Sequence, residues 1–290
     1  MNESNTHQFH TLGDQPVQGG YLTYVMAAFG QGLLLLIRRP RLLLVSGITL
    51  LPVLIPIMIA FFSRDQYASD GTDIFIQLAT RLHISVFVPL LSLFFGSMLI
   101  AEEIESQTIT YLLTRPSPRS AWVLGRFMAY ALVATSLLWL SLTLTYVACT
   151  TLADLDFAPI HLKLLAWYAG IGILGILTYG TLSMYLGAGT KRPIVYGVLL
   201  FFGWEPMARV IPGIVDFLTV MKYLEALFPP AAPRLADMAV QSTLGEYTKL
   251  VYSVQATHAL LVLAALFCFF MTMTVWVLRS KEFAGTRMAR

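Results

Sequence analysis

Five stretches of this 290-residue chain are long, apolar and free of Asp, Glu, Lys and Arg, and nothing else constrains its fold as strongly. They run from about Leu42–Phe62, Leu82–Ala101, Phe127–Thr150, Leu164–Gly187 and Thr257–Leu278. A helix rises about 1.5 Å per residue, so roughly 20 such residues cross the roughly 30 Å of bilayer hydrocarbon. Each stretch therefore predicts a transmembrane helix. Water cannot be the solvent for all five: 57% of the residues are apolar and only 12% charged, about half the charge of an ordinary soluble domain. Soluble globular, disordered and nucleic-acid-binding classes are excluded on this ground.

A sixth span is expected from Ile194, but it meets Trp204-Glu205-Pro206 after about a dozen residues. The chain resumes at Val210-Ile211-Pro212-Gly213 and stays largely apolar to Phe228, interrupted by Asp216, Lys222 and Glu225. Pro and Gly there predict a broken helix followed by re-entrant or interfacial pieces. Tyr21–Ile37 is apolar but separated from Leu42 only by Arg38-Arg39-Pro40-Arg41. A hairpin would have to turn in four residues carrying three positive charges. A helix lying in the interface, with its basic end among headgroups, is the preferred reading; a seventh span is the alternative. The polar start, Met1-Asn2-Glu3, has neither the basic region nor the apolar core of a cleavable signal. The expected layout is one all-α membrane domain over 1–290. It comprises a polar tail (1–20), an interfacial helix (21–41), six spans within 42–278 and a basic tail (279–290).

Basic residues orient the spans. With six spans and an internal N-terminus, the cytoplasm receives Arg38, Arg39, Arg41, Arg115, Arg119, Arg126, Lys191, Arg192, Arg279, Lys281, Arg287 and Arg290. Only Arg64, Arg81 and Lys163 fall in the short outer loops, a bias of 12 to 3. The long segment before the last span, with Arg209, Lys222, Arg234 and Lys249, counts little under the positive-inside rule. Both termini are expected in the cytoplasm.

Between the second and third spans lies the most informative segment. Glu102, Glu103 and Glu105 crowd the end of the second span; Ile109, Leu112 and Leu113 then fall at i, i+3, i+4, predicting a short helix with one apolar face. Pro116 ends it, Ser117-Pro118 turns the chain, and Arg119, Gly125 and Arg126 open the third span. An amphipathic helix held between two spans is a handle that a soluble partner can push.

The order Glu103-x-Glu105-x-x-Thr108-Ile109-x-x-Leu112-Leu113-x-x-Pro116-x-x-Arg119, then Gly125-Arg126, resembles the signature between the second and third spans of bacterial ABC-type exporter permeases. That family, ABC-2-like, has the type V fold with six spans per subunit. Leu36-Ile37-Arg38-Arg39-Pro40-Arg41 looks like its interfacial helix running into the first span. Phe201-Phe202-Gly203-Trp204-Glu205 with Ile211-Pro212-Gly213 is similar to an aromatic-Trp-Glu stretch of some members. One position departs: Gln107 stands where the family usually has Gly before the Thr, implying a more helical junction.

The resemblance implies a permease of the cytoplasmic (inner) membrane that hydrolyses nothing itself. No G-x-x-x-x-G-K-[ST] loop occurs in the chain; Gly189-Thr190-Lys191 lacks its spacing. ATP and Mg are expected on a separate cytoplasmic ATPase, and this chain is expected to bind no cofactor. By resemblance, Glu102, Glu103, Glu105, Thr108, Leu112, Leu113, Arg115 and Arg119 belong to the coupling helix that docks in that ATPase. A second permease, identical or related, is expected as partner, and Pro229–Leu250 is a place where an extracytoplasmic partner or gate could act.

Other residues carry weaker signals. Glu205, beside Trp204, is the carboxylate most nearly embedded in a span; it is a candidate polar site, with a structural role near the headgroups preferred. Cys268, Met271 and Met273 could offer soft ligands to copper, but Met271 and Met273 point about 200° apart on a helix. Cys149 and Cys268, both inside apolar runs, suggest neither a disulfide framework nor a zinc site. His83, His161 and His258 sit near expected outer boundaries. Gly170, Gly172, Gly175, Gly180, Gly187 and Gly189 suggest close helix packing, with a lateral substrate path as the other reading. No protease or hydrolase motif is present. The competing classes are a secondary transporter, which calls for paired intramembrane charges and repeated broken helices, and a membrane scaffold.

Overall fold

The computed structural model describes residues 20–38, 40–62, 71–105, 118–151, 155–211, 214–229 and 254–280, and every regular element among them is helical. A shorter apolar helix, α1 (Tyr21–Ile37), precedes four that are long and apolar enough to cross a membrane: α2 (Leu42–Phe62), α3 (Gly71–Ala101), α4 (Arg119–Cys149) and α5 (Pro159–Gly189). After α5 comes α6, a broken helix built of Pro193–Val198, Leu199–Trp204 and Glu205–Val210. A 3-10 turn (Val215–Leu218) and a short helix α7 (Val220–Glu225) follow. The last long apolar helix is α8 (Ala256–Ser280). Five of these helices satisfy the length and composition of a span, so the chain is a multi-pass membrane protein.

Three helices start earlier than their apolar runs. The second begins at Gly71, not Leu82, because Asp73, Gln77 and Arg81 recur at i, i+4, i+8 and share one exposed stripe. Ile74, Phe75 and Leu78 are buried behind them. The third begins at Arg119 rather than Phe127, and the fourth at Pro159 rather than Leu164. Each of these three helices has 31 residues, about 46 Å of rise, so its ends reach past the roughly 30 Å hydrocarbon layer.

Ring pairs and hydrogen bonds set the packing order. Phe75 meets Tyr146 edge to face at 5.5 Å, His83 meets Ser141, and Tyr130 meets Ser92, so α3 and α4 run antiparallel. The α5 glycines lie against α3 in parallel order: Gly175 at Val88, Gly180 at Gly96, Gly187 at Ser97. Gly187 is required there, since a Cβ would stand 2.6 Å from the Ser97 carbonyl oxygen. The expected glycine-mediated packing is thus present at Gly172, Gly175, Gly180 and Gly187, whereas Gly170 and Gly189 face open space.

Three segments are π-helical rather than α-helical. In α3, Ala79–Phe87 and Ser92–Gly96 are π-helical, on either side of Pro89; in α6, Leu199–Trp204 is π-helical just before Pro206. Proline lacks an amide donor and its ring presses on the carbonyl four residues back, so a widened turn relieves the ladder. Side chains take up carbonyls there. Ser85 Oγ donates to Thr80 O at 2.9 Å and His83 Nδ1 lies 3.1 Å from Leu78 O, both five residues back.

α1 packs along the first turns of α4 and runs in the same direction. The Tyr21 hydroxyl reaches Ser120 Oγ (3.4 Å), Val25 and Ala28 cover Gly125, and Gly32 abuts Arg126 and Ala129. A Cβ on Gly125 would stand 2.4 Å from the Val25 carbonyl oxygen and 2.9 Å from the Phe29 amide nitrogen, backbone atoms that cannot swing aside. Gly125→Ala is therefore expected to lower stability by about 1–3 kcal/mol. Thermal unfolding of detergent-purified protein checks this, with Gly170→Ala, whose Cβ meets nothing within 4 Å, expected to be neutral or slightly stabilising. Equal melting of the two variants would refute the close α1–α4 contact.

Candidate functional site

A compact set of charged side chains gathers where α6 breaks off. Pro206 follows Glu205, and the π-turn ahead of it rotates the carboxylate inward: Glu205 is only 4% exposed, while neighbouring Trp204 remains 37% exposed. Glu205 Oε2 accepts the Tyr179 hydroxyl of α5 at 2.5 Å, and Oε1 accepts the Val220 amide at 3.1 Å. One carboxylate thereby joins α5, α6 and the first residue of α7.

Beyond the break, the chain folds back on itself around a second buried pair. Lys222 Nζ donates to Asp216 Oδ2 at 2.9 Å, with the side chains 7% and 2% exposed. Thr219 Oγ1 caps α7 by accepting the Lys222 amide, and the Lys222 ammonium stands 5.6 Å from the Phe217 ring centre. Arg209 of α6 faces Glu225 of α7 at 3.8 Å. Tyr223 donates to the Phe217 carbonyl (2.9 Å), and the Trp167 indole of α5 donates to Leu227 O (2.8 Å). Three acids and two cations are thus enclosed over 205–225. In a low-dielectric setting such charges persist only when paired and hydrogen-bonded. Sequence reasoning saw Asp216, Lys222 and Glu225 as interruptions of an apolar run; their pairing comes from the fold and has no periodic signature.

The three histidines do not form a common site. His83 lies twelve residues inside α3 rather than at its boundary, fully buried, with Nε2 3.1 Å from Ser141 Oγ. Ser141 Oγ in turn donates to the Thr49 carbonyl, linking α2, α3 and α4. His161 instead faces Asp156 (2.9 Å) in the connection before α5. The Ala158 amide and then the His161 hydrogen bond hold the Asp156 carboxyl below the usual carboxylate range. His258 is exposed at the start of α8. Among the described residues no group of three or more His, Cys, Asp or Glu side chains could hold a metal. Cys149 is buried in α4 and Cys268 exposed on α8, each a free thiol.

Of the expected coupling residues, Glu102, Glu103 and Glu105 continue the α3 helix, which extends to Glu105, though their side chains are outside the described set. Thr108, Leu112, Leu113 and Arg115 lie outside the described residues altogether. Arg119 is described, and it does something the sequence did not suggest. Its Nη1 donates to the carbonyls of Leu278 (2.9 Å) and Arg279 (3.1 Å), the last turn of α8. A cation there satisfies orphan carbonyls and opposes the negative end of the helix dipole. Arg126, 2% exposed, packs with its guanidinium 5.5 Å from the Trp122 ring and its stem against Gly32. The segment following the expected coupling helix is therefore tied to both α1 and α8.

A family model described as "ABC-2 family transporter protein" matches residues 35–203, a little over half of the chain, from the end of α1 through the π-turn of α6. No curated protein matches the chain.

Proposed function

Because the chain belongs to the ABC-2 family of transporter proteins, we propose that it is the permease subunit of an ATP-driven exporter in a bacterial cytoplasmic membrane, powered by a separate ATPase. The family match is the observation that carries this reading, since it spans α2 to α5 together with the whole 106–117 connection. In this reading α6 is the sixth span, both termini are cytoplasmic, and residues 1–290 form one membrane domain. The orientation is supported by the 12 to 3 excess of basic residues at that side. α1 is the interfacial helix. It packs along the first turns of α4, the part that carries Arg126.

Force enters at the connection between α3 and α4. The apolar residues Leu112 and Leu113 bury in the ATPase, and Glu103, Glu105 and Arg115 set register and partner choice through charge. Nucleotide-driven closure of two ATPase subunits rocks paired permeases between states. Arg119 and Gly125 pass that displacement to α8 and α1, because both are held to the start of α4. The substrate crosses between apolar helices; this chain contributes no catalytic group.

Affinity-tagged chain, expressed in its native cells and purified from their membranes, should retain a phosphate-loop ATPase and show vanadate-sensitive ATP hydrolysis. Purification of the chain alone, with hydrolysis indifferent to its presence, would overturn the reading.

A further inference from the structure

A crevice of about 390 Å³ opens between α8 and the paired starts of α1 and α4. Its volume falls in the range of small-ligand sites and far exceeds one water, whose share of liquid is about 30 Å³. Two chemistries meet in it. Tyr21, Ser120 and Arg279 line one end, while Val123, Met271 and Val275 line it further along the helices. From Arg279 to Met271 is eight residues of helix, about 12 Å. Length along α8 and polarity thus match the step from headgroup to acyl chain. Trp276 and Tyr21 border the crevice and are 62% and 50% exposed, as aromatic residues are at a membrane–water boundary.

The charge is one-sided. Among the described residues no acid lines the crevice. Arg119 lies immediately behind, its guanidinium engaged with the carbonyls of Leu278 and Arg279, so a second cation adds its field at the same end. Basic pockets between spans are suited to anionic lipid headgroups.

We propose that this crevice binds one anionic phospholipid, its phosphate at Arg279 and one acyl chain along Val123, Met271 and Val275. The lipid then bridges the two helices that Arg119 already joins, and lipid composition sets how firmly α8 is held against α4. The inference rests on the chain being a membrane protein and is independent of what drives transport.

The test uses the full chain in mild detergent, titrated with phosphatidylglycerol or phosphatidylcholine brominated on the acyl chains, and reads quenching of the Trp276 fluorescence. Trp276→Phe supplies the background from the other four tryptophans. Brominated phosphatidylglycerol should quench at concentrations about fivefold lower than brominated phosphatidylcholine, the ratio expected from one cation at an anionic surface. Arg279→Gln should abolish that preference while leaving quenching by phosphatidylcholine intact. Val275→Phe, which fills the crevice, should weaken both, and a single symmetric gel-filtration peak for each variant shows that folding is retained. Inorganic phosphate at millimolar concentration should not compete. Equal affinity for the two lipids, an Arg279→Gln variant that keeps the preference, or displacement by inorganic phosphate would each overturn the proposal. So would a crevice closed to both lipids because a second copy of the chain covers it, seen as a dimer by native mass spectrometry.

Discussion

Asp216→Ala is expected to destabilise the protein by about 3–5 kcal/mol, because it strands the Lys222 ammonium in a site where the side chain is 7% exposed. The loss is asymmetric. Removing one member of a buried pair leaves an uncompensated charge, whereas removing both members leaves only a packing problem. Asp216→Leu combined with Lys222→Met should therefore recover most of the stability that the single change removes. The expected readout is thermal unfolding of the detergent-purified protein, with a midpoint lowered on the order of 10 °C by the single variant and largely restored by the double one. A single variant that melts like the parent would show that water reaches Lys222 and that the pair does not organise the segment after α6.

The second large effect is expected in assembly rather than stability. Leu112→Asp with Leu113→Asp should leave the chain inserted and folded but reduce capture of the ATPase by at least about a hundredfold. Each leucine withdrawn from water is worth roughly 1.5–3 kcal/mol, and apolar anchors dominate small interfaces. The change also adds two negative charges to a segment that already carries Glu103 and Glu105, so charge as well as shape is altered. The measurement is co-purification together with vanadate-sensitive hydrolysis. Undiminished co-purification and hydrolysis would remove these leucines from the coupling interface, leaving the family membership untouched.

The five long helices were readable because lipid imposes a strict rule: an uninterrupted apolar run of sufficient length has few other places to go. Their ends were less readable. Asp73, Gln77 and Arg81 look like a loop when averaged over a window, yet they share one face of a helix whose other faces are buried. The π-helical turns left no periodic trace, although Pro89 and Pro206 mark their neighbourhood. At the charged site, Glu205 stood out because a carboxylate follows an apolar run. Its partners did not, since Tyr179 lies 26 residues away and Val220 contributes only its backbone. Asp216 and Lys222 are six residues apart, a spacing that belongs to neither helix nor strand and becomes a contact only through the turn between them. Arg119 was recognised as a charge at the start of a span. That it serves a helix 159 residues further on could not be read from local pattern.

That last separation bears on how the molecule is made. A ribosome working at about 5–20 residues per second needs roughly 8–30 s to pass from Arg119 to Leu278. Throughout that interval the guanidinium has no α8 carbonyl to bind, so hydration and lipid phosphate must hold the beginning of α4 at the bilayer surface. When α8 arrives, its final turn offers the carbonyl oxygens of Leu278 and Arg279 together. The latch closes as a zip fastener does, a later helix locking one inserted early, and a chain cut short before Leu278 has its third span in place but unlatched.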